Sequence, residues 1–231
     1  MTSVTVFLGA GGGAGTTSSA IVTARRQAGR VLLVDLDIWS GTLAQRLGLE
    51  PTVSLADLAA VELQDIDSDA IAAVSWRIGG GLELIPAPSR PELADVIDPQ
   101  LVATVLELVV AGDQYDAVVI DAGSRLDLAI WHACMRANLV VICSRRSAGA
   151  QARVANLVDV LDRSRCPACL DQRRALNIVG YHLVELAARV RRTVRSRQPA
   201  IPPRQAPRVT PTVAPSATSA AVATAASVRG R

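Results

Sequence analysis

A doubly wound, mostly parallel α/β sheet is the fold class this sequence predicts, and three observations predict it. Short apolar runs recur at 3–8, 31–35, 82–86, 117–121, 139–143 and 176–180, each bounded by turn residues as buried strands are. Segments of helical length and spacing, with capping residues at their starts, separate them. Three of the runs end in residues suited to chemistry: the first in a glycine-rich stretch, the second and fourth in aspartate. In open α/β sheets ligands bind beyond the carboxyl ends of the strands.

The elements follow in order. Residues 3–8 form a buried strand, and Gly9-Ala10-Gly11-Gly12-Gly13-Ala14-Gly15 leads from it into a helix from Thr17 to Ala28, ended by Gly29. Val31 to Asp35 is the second strand, and a strand–helix–strand opening of this kind implies parallel pairing. A loop from Asp35 runs into a short helix before Pro51. Ser54 to Ala60 and Asp67 to Trp76 are expected to be helical, each behind a polar cap. Leu82 to Pro86 is a strand running into the proline-punctuated loop 87–91. Asp98-Pro99 opens a helix to about Ala111, with proline in the first turn, where its missing N–H is not needed. The strand 117–121, a helix over 126–136, the strand 139–143, a helix over 149–163 and a weaker strand at 176–180 complete the pattern. There is no internal repeat.

The glycine stretch carries the strongest chemical signal. Glycines let backbone N–H groups approach an anion, and a helix N-terminus adds partial positive charge. The phosphate-loop pattern G-x-x-x-x-G-K-[ST] ends here at Gly15-Thr16-Thr17, with Thr16 in place of the lysine and Ala10 in place of the first glycine. All 24 basic residues of the chain are arginine, so no lysine from elsewhere can substitute. The same stretch also satisfies G-x-G-x-x-G/A at Gly9, Gly11 and Ala14, and Asp35 stands where a ribose-binding acid belongs. A Rossmann-type NAD(P)-binding oxidoreductase is therefore an alternative. Against it stand Thr16-Thr17, which suit Mg²⁺, the separate strand ending at Asp121, and the want of an acid–base pair for hydride chemistry, His132 falling in a helix.

Three loops behind three apolar strands resemble one family. Gly11-Gly12-Gly13-Ala14-Gly15-Thr16-Thr17 lines up with the deviant Walker A loop of the MinD/ParA ATPases. Val31 to Asp37 is similar to their second strand and first switch, and Tyr115 to Asp121 to their Walker B strand. Leu84-Ile85-Pro86-Ala87-Pro88 followed by Arg90-Pro91-Glu92 is closer to the CpaE/TadZ branch, which serves pilus assembly and polar localisation and to which septum-site-determining-type proteins are similar. The resemblance covers about residues 3–163. It implies ATP and Mg²⁺ as ligands. Gly11, Gly12, Gly13, Ala14, Gly15, Thr16, Thr17 and Ser18 would bind phosphate, Thr17 and Asp121 would hold the metal, and Asp37 would be the catalytic switch carboxylate that orients water. Phosphoryl transfer is mainly positioning and charge neutralisation, so these roles make chemical sense. Two departures stand out: Thr16 replaces the loop lysine, and Gly11 takes the place of the second, family-specific lysine that reaches a dimer partner's nucleotide. Ala122-Gly123 also stands where the family has a proline-bearing turn. The implied function is an ATP-binding localisation or assembly factor for a pilus, secretion or septum system, able to form a homodimer and hydrolysing ATP weakly or not at all. A nucleotide-free scaffold is the other alternative.

Charge divides the chain. Residues 1–185 carry 15 arginines and 21 acids, a charge of −6, whereas residues 186–231 carry nine arginines and no acid, +9. Residues 1–182 are expected to form the nucleotide-binding domain and 183–197 a basic amphipathic helix. In that helix Leu183, Leu186, Ala187, Val190 and Val194 share one face, and Arg189, Arg191, Arg192 and Arg195 lie on the others. Residues 198–231, rich in Pro, Ala, Thr and Arg, are expected to be a disordered tail. Such a basic end is suited to an anionic membrane or a nucleic acid. No apolar run is long enough to cross a membrane and no secretory signal is visible, so the expected location is the cytoplasm, peripheral to the inner face of the membrane. Cys134 and Cys143 read as small core residues, and Cys166-Pro167-Ala168-Cys169 as a loop rather than a zinc or redox site.

Overall fold

A computed structural model of the chain describes residues 2–164 and Cys166. The strand expected at 176–180, the helix at 183–197 and the tail at 198–231 lie outside the described residues. Within them the elements are β1 (Ser3–Gly9), α1 (Thr16–Arg26), β2 (Val31–Asp35), α2 (Leu43–Arg46), α3 (Ser68–Ala73), β3 (Trp76–Gly79), β4 (Leu82–Ile85), α4 (Pro99–Ala111), β5 (Ala117–Asp121), α5 (Leu128–Arg136), β6 (Leu139–Cys143) and α6 (Ala148–Arg163). Short 3-10 turns at Leu55–Ala60, Leu63–Asp65 and Pro91–Val96 join some of them.

The six strands are ordered β3-β4-β2-β5-β1-β6, parallel except where β3 pairs antiparallel with β4 at one edge. Strand alternation gives the sheet two apolar faces. Val4, Val6 and Leu8 of β1 face the larger core with Leu101, Val105 and Leu106 of α4, Ile130 and Cys134 of α5, and Val154 and Leu161 of α6. Phe7 of β1 faces the smaller core with Ala20 and Ala24 of α1, Leu43 of α2, and Leu33, Leu84 and Val119 from neighbouring strands. The doubly wound, mostly parallel fold expected from the sequence is the fold observed.

Capping follows the sequence in most helices. Asp98 accepts from Gln100 N–H at 2.6 Å, Asp127 from Ile130 N–H at 3.0 Å, and Ser147 from Ala150 N–H at 3.2 Å. Helix α1 differs: its N-cap is Gly15, in the left-handed region at φ 83°, with no side-chain cap and no acid in the first turn.

Two expectations are corrected. The helix expected over 67–76 ends at Ala73, and Trp76 instead begins β3. Gly79, Gly80 and Gly81 all have positive φ and turn the chain tightly back, so that Trp76 pairs with Leu84 and Arg77 with Glu83. Helix-like spacing loses to a glycine hairpin. The Rossmann alternative fails on strand order. In the dinucleotide fold β1 and β2 are neighbours, as in 3-2-1-4-5-6; here β5 lies between them, paired to both. Asp35 is also committed internally, accepting from Asp37 N–H at 3.2 Å and Leu43 N–H at 3.1 Å.

Candidate functional site

Parallel pairing brings the carboxyl ends of β1, β2 and β5 side by side. Asp35 pairs in register with Asp121, and Phe7 of β1 pairs with Asp121 from the other side. The glycine stretch leaves β1 immediately beyond, tied down by Gly9 N–H on Gly123 C=O at 2.6 Å and Ala10 N–H on Cys143 C=O at 2.7 Å. An open cleft lies over it, lined by residues 11–18 together with Asp37, Arg46, Gly123 and Ser124.

The backbone of the loop is unusual in what it does not bond. Among the described residues, no backbone N–H from Gly11 to Ser18 makes a hydrogen bond of good geometry, a loose turn across Gly12-Gly13 aside; the helical ladder begins with Ser19 N–H on Gly15 C=O at 2.9 Å. Folded proteins leave few buried or clustered backbone donors without partners, and a run of them at a helix start is a cradle for an anion.

Two carboxylates sit behind the cradle. Asp121 is 1% exposed. Its Oδ1 accepts from Gly123 N–H at 3.2 Å, whereas Oδ2 is the buried side-chain oxygen left without a hydrogen bond among the described residues. Burial raises the Asp121 pKa above the usual 3.8; the Thr17 hydroxyl beside it and the Gly123 N–H oppose the rise, and the Asp37 charge adds to it. Asp35, also 1% exposed, is raised further, first by burial and then by the Asp121 charge beside it. A buried carboxylate with one unpartnered oxygen and a threonine hydroxyl beside it, at the start of a helix, is a donor set suited to a hard divalent cation.

Asp37 lies in the cleft wall, half-buried. Burial raises its pKa, opposed by a hydrogen bond from the Ser40 backbone and by the Arg125 charge. Its carboxylate packs on Gly123, whose φ is 58° and whose replacement Cβ would stand 2.5 Å from Asp37 Cγ. The proline-bearing turn of the resembled family is thus replaced by a glycine that makes room for Asp37.

All the residues singled out in the sequence come together: residues 11–18 and Asp37 line the cleft and Asp121 lies beneath it. No lysine replaces the one missing from the loop, but arginines stand around it. Arg46 stands in the cleft wall, and Arg145 and Arg153 lie against Gly13 and Gly11. Spacing gave no sign of Arg145 or Arg153, because proximity to the loop arises only when β6 pairs with β1. Cys134 and Cys166 are buried, with Cys166 Sγ donating to Cys134 C=O at 3.1 Å, and burial holds the Cys134 pKa up at about 12.

The order β2-β5-β1 with a phosphate-type loop after β1 decides the comparison with known folds. The fold is that of the MinD/ParA P-loop ATPases. A ParA-family ATPase from Chlorobium tepidum TLS superposes with a TM-score of 0.63 at 23% identity, over 71% of this chain and 69% of that one. The cell division ATPase MinD of Pyrococcus furiosus does so at 0.57 and 19%, over 71% and 68%. The septum site-determining protein MinD of Pyrococcus horikoshii OT3, solved with Mg-ADP, does so at 0.58 and 20%, over 71% and 66%. No protein-family model and no curated protein matches the chain in sequence. In this MinD/ParA-like frame the glycine loop, the end of β2 and the end of β5 occupy the carboxyl edge of the sheet, where such folds bind their ligands.

Proposed function

We propose that this protein binds ATP with Mg²⁺ in the cleft above β1 and α1 and acts as a CpaE/TadZ-type localisation or assembly factor for a pilus, secretion or septum system, with weak or no hydrolysis. The observation that supports the reading is the run of backbone N–H groups from Gly11 to Ser18 without a well-formed hydrogen bond, beside the buried Oδ2 of Asp121, which has none either. In this reading Gly11 to Ser18 hold the phosphates, Thr17 and Asp121 hold the metal, and Asp37 orients water. The bound cation would supply charge neutralisation between phosphate oxygens; this chain supplies the amides and the carboxylate. Thr16 in place of lysine removes a preorganised donor, a change that typically costs about 10²–10³ in rate, and that is why hydrolysis is slow or lost.

The cargo is another protein, and a homodimer is the working assembly. The protein acts in the cytoplasm at the inner face of the membrane, and the nine arginines of residues 186–231, with no acid among them, contact an anionic surface, lipid or nucleic acid.

Calorimetry of the full chain against ATP–Mg²⁺, ADP and NAD(P)H tests the reading. Binding of ATP–Mg²⁺ and not NAD(P)H is the expected result. Silence in all arms would establish a nucleotide-free scaffold instead, and NAD(P)H binding would overturn the fold-based argument.

A further inference from the structure

Three guanidinium groups, from two helices and a loop, converge on the glycine loop. Arg46 at the end of α2 lines the cleft, its Nη1 donating to Ser18 Oγ at 3.3 Å and its Nε to Thr42 Oγ1 at 3.2 Å. Arg153 of α6 donates Nε to the Ala10 carbonyl, and its Nη2 would stand 2.9 Å from a Cβ built on Gly11. Arg145, between β6 and α6, lies over Gly13, its Cζ 3.7 Å from the corresponding point. Among the described residues Arg77, Arg90, Arg136 and Arg163 pair with carboxylates, and none of these three does.

Both positions where the resembled loop carries lysine are thereby accounted for differently. The Thr16 side chain is 8% exposed, and its Oγ1 packs beneath Gly9, within 2.6 Å of where a Cβ would stand. It brings no charge to the cleft. The space beside Gly11 is occupied from outside by the Arg153 guanidinium, which a side chain on residue 11 would have to displace. Like charges gathered on one loop raise each other's energy, and a polyanion seated among them reverses the sign of that interaction. Guanidinium is also the cation best matched to phosphate oxygens, offering paired donors in a planar fork.

We propose that Arg46, Arg145 and Arg153 replace the loop lysines as the cations that hold a phosphate chain against the Gly11–Ser18 amides. The site then grips its ligand by phosphate number, a triphosphate more tightly than a diphosphate. The proposal rests on the nucleotide reading above for the rest of the ligand, but not for the phosphates themselves.

The test is calorimetry of the full chain with ATP–Mg²⁺, ADP–Mg²⁺ and inorganic tripolyphosphate–Mg²⁺, on wild type and on Arg46→Gln, Arg145→Gln and Arg153→Gln. Circular dichroism and thermal melting verify that each variant is folded. Arg153→Gln also removes the bond to Ala10, so Arg153→Lys serves as its charge-retaining companion. Losses of roughly tenfold per variant for ATP–Mg²⁺, with a smaller loss for ADP–Mg²⁺, are expected, and Arg153→Lys should recover part of the loss. Wild-type affinity in all three Gln variants overturns the proposal and leaves nucleotide binding standing. Tripolyphosphate binding that depends on the arginines, without ATP binding, upholds the proposal and removes the nucleotide reading. Failure of wild type to bind any of the three ligands removes both.

Discussion

At the scale of single residues, the site stores electrostatic cost. Strand register places Asp35 beside Asp121 at the buried edge of the sheet, and burial is the first cause of the raised pKa in both. A folded carboxyl whose pKa exceeds the unfolded 3.8 keeps protons that the unfolded chain has released. Its favourable contribution is complete below that value and is lost as pH rises through the folded pKa. The ligand-free protein is therefore expected to lose this contribution on going from acid toward neutral pH. Asp121→Asn keeps the Oδ1 acceptor for Gly123 N–H and removes the charge. It should raise the thermal midpoint of ligand-free protein at pH 7, flatten its decline from acid pH, and abolish any Mg²⁺ dependence of nucleotide binding. An unchanged midpoint and pH slope would contradict the assignment of strain to this pair. Thr16→Lys tests the other side of the balance. A lysine reaching the phosphates adds a charged hydrogen bond, so ATP–Mg²⁺ affinity should rise by about tenfold, and by more in an Arg46→Gln background. No change in either background counts against a phosphate-loop identity.

At the scale of elements, the site depends on two turns with contrasting logic. Helix α1 starts without a side-chain cap, while α4, α5 and α6 each have one; in the proposed function the donors that a cap would satisfy serve the ligand. The turn after β5 is held by Gly123, with φ 58° and Asp37 pressed against it. Gly123→Ala meets both a left-handed backbone and a 2.5 Å approach to Asp37 Cγ. It should destabilise the protein by about 1–3 kcal/mol in urea denaturation and displace Asp37 from the cleft. Unchanged stability would show that the turn has room to relax. The β3–β4 hairpin gives a different lesson. Ile71 and Val74 carry helical spacing toward Trp76, but Gly79-Gly80-Gly81 is a turn that a helix cannot continue through, and the strand pairing it permits overrides local periodicity.

At the scale of the whole molecule, an acidic body at −6 carries a basic end at +9. Among the described residues no helix is long and apolar enough to cross a membrane. Contact of the nine arginines with an anionic surface is expected to be salt-sensitive. In the full chain, exchanging Arg189, Arg191, Arg192 and Arg195 for glutamine should abolish sedimentation with anionic vesicles or retention of DNA at low salt, whichever wild type shows. Binding by neither surface in wild type removes the proposal for this segment.

The strands at 31–35, 117–121 and 139–143 were legible residue for residue, because a parallel strand covered on both faces is a continuous apolar run between polar turns. The glycine loop and its flanking aspartates were equally legible, since each sits where a strand ends. Strand order was not: β5 between β1 and β2 is a choice among pairings with similar local sequences, and it excludes the dinucleotide arrangement that Gly9, Gly11, Ala14 and Asp35 permit. Nor were the arginines. Arg153 and Ala10 are 143 positions apart, and Arg145 stands beyond the end of a strand whose partner only the folded sheet reveals. By itself the sequence determined the glycine loop between β1 and α1, because backbone conformation there is set locally by glycine. Only the tertiary structure decided which charges stand around it, because charge proximity across a sheet is made by strand pairing and not by spacing along the chain.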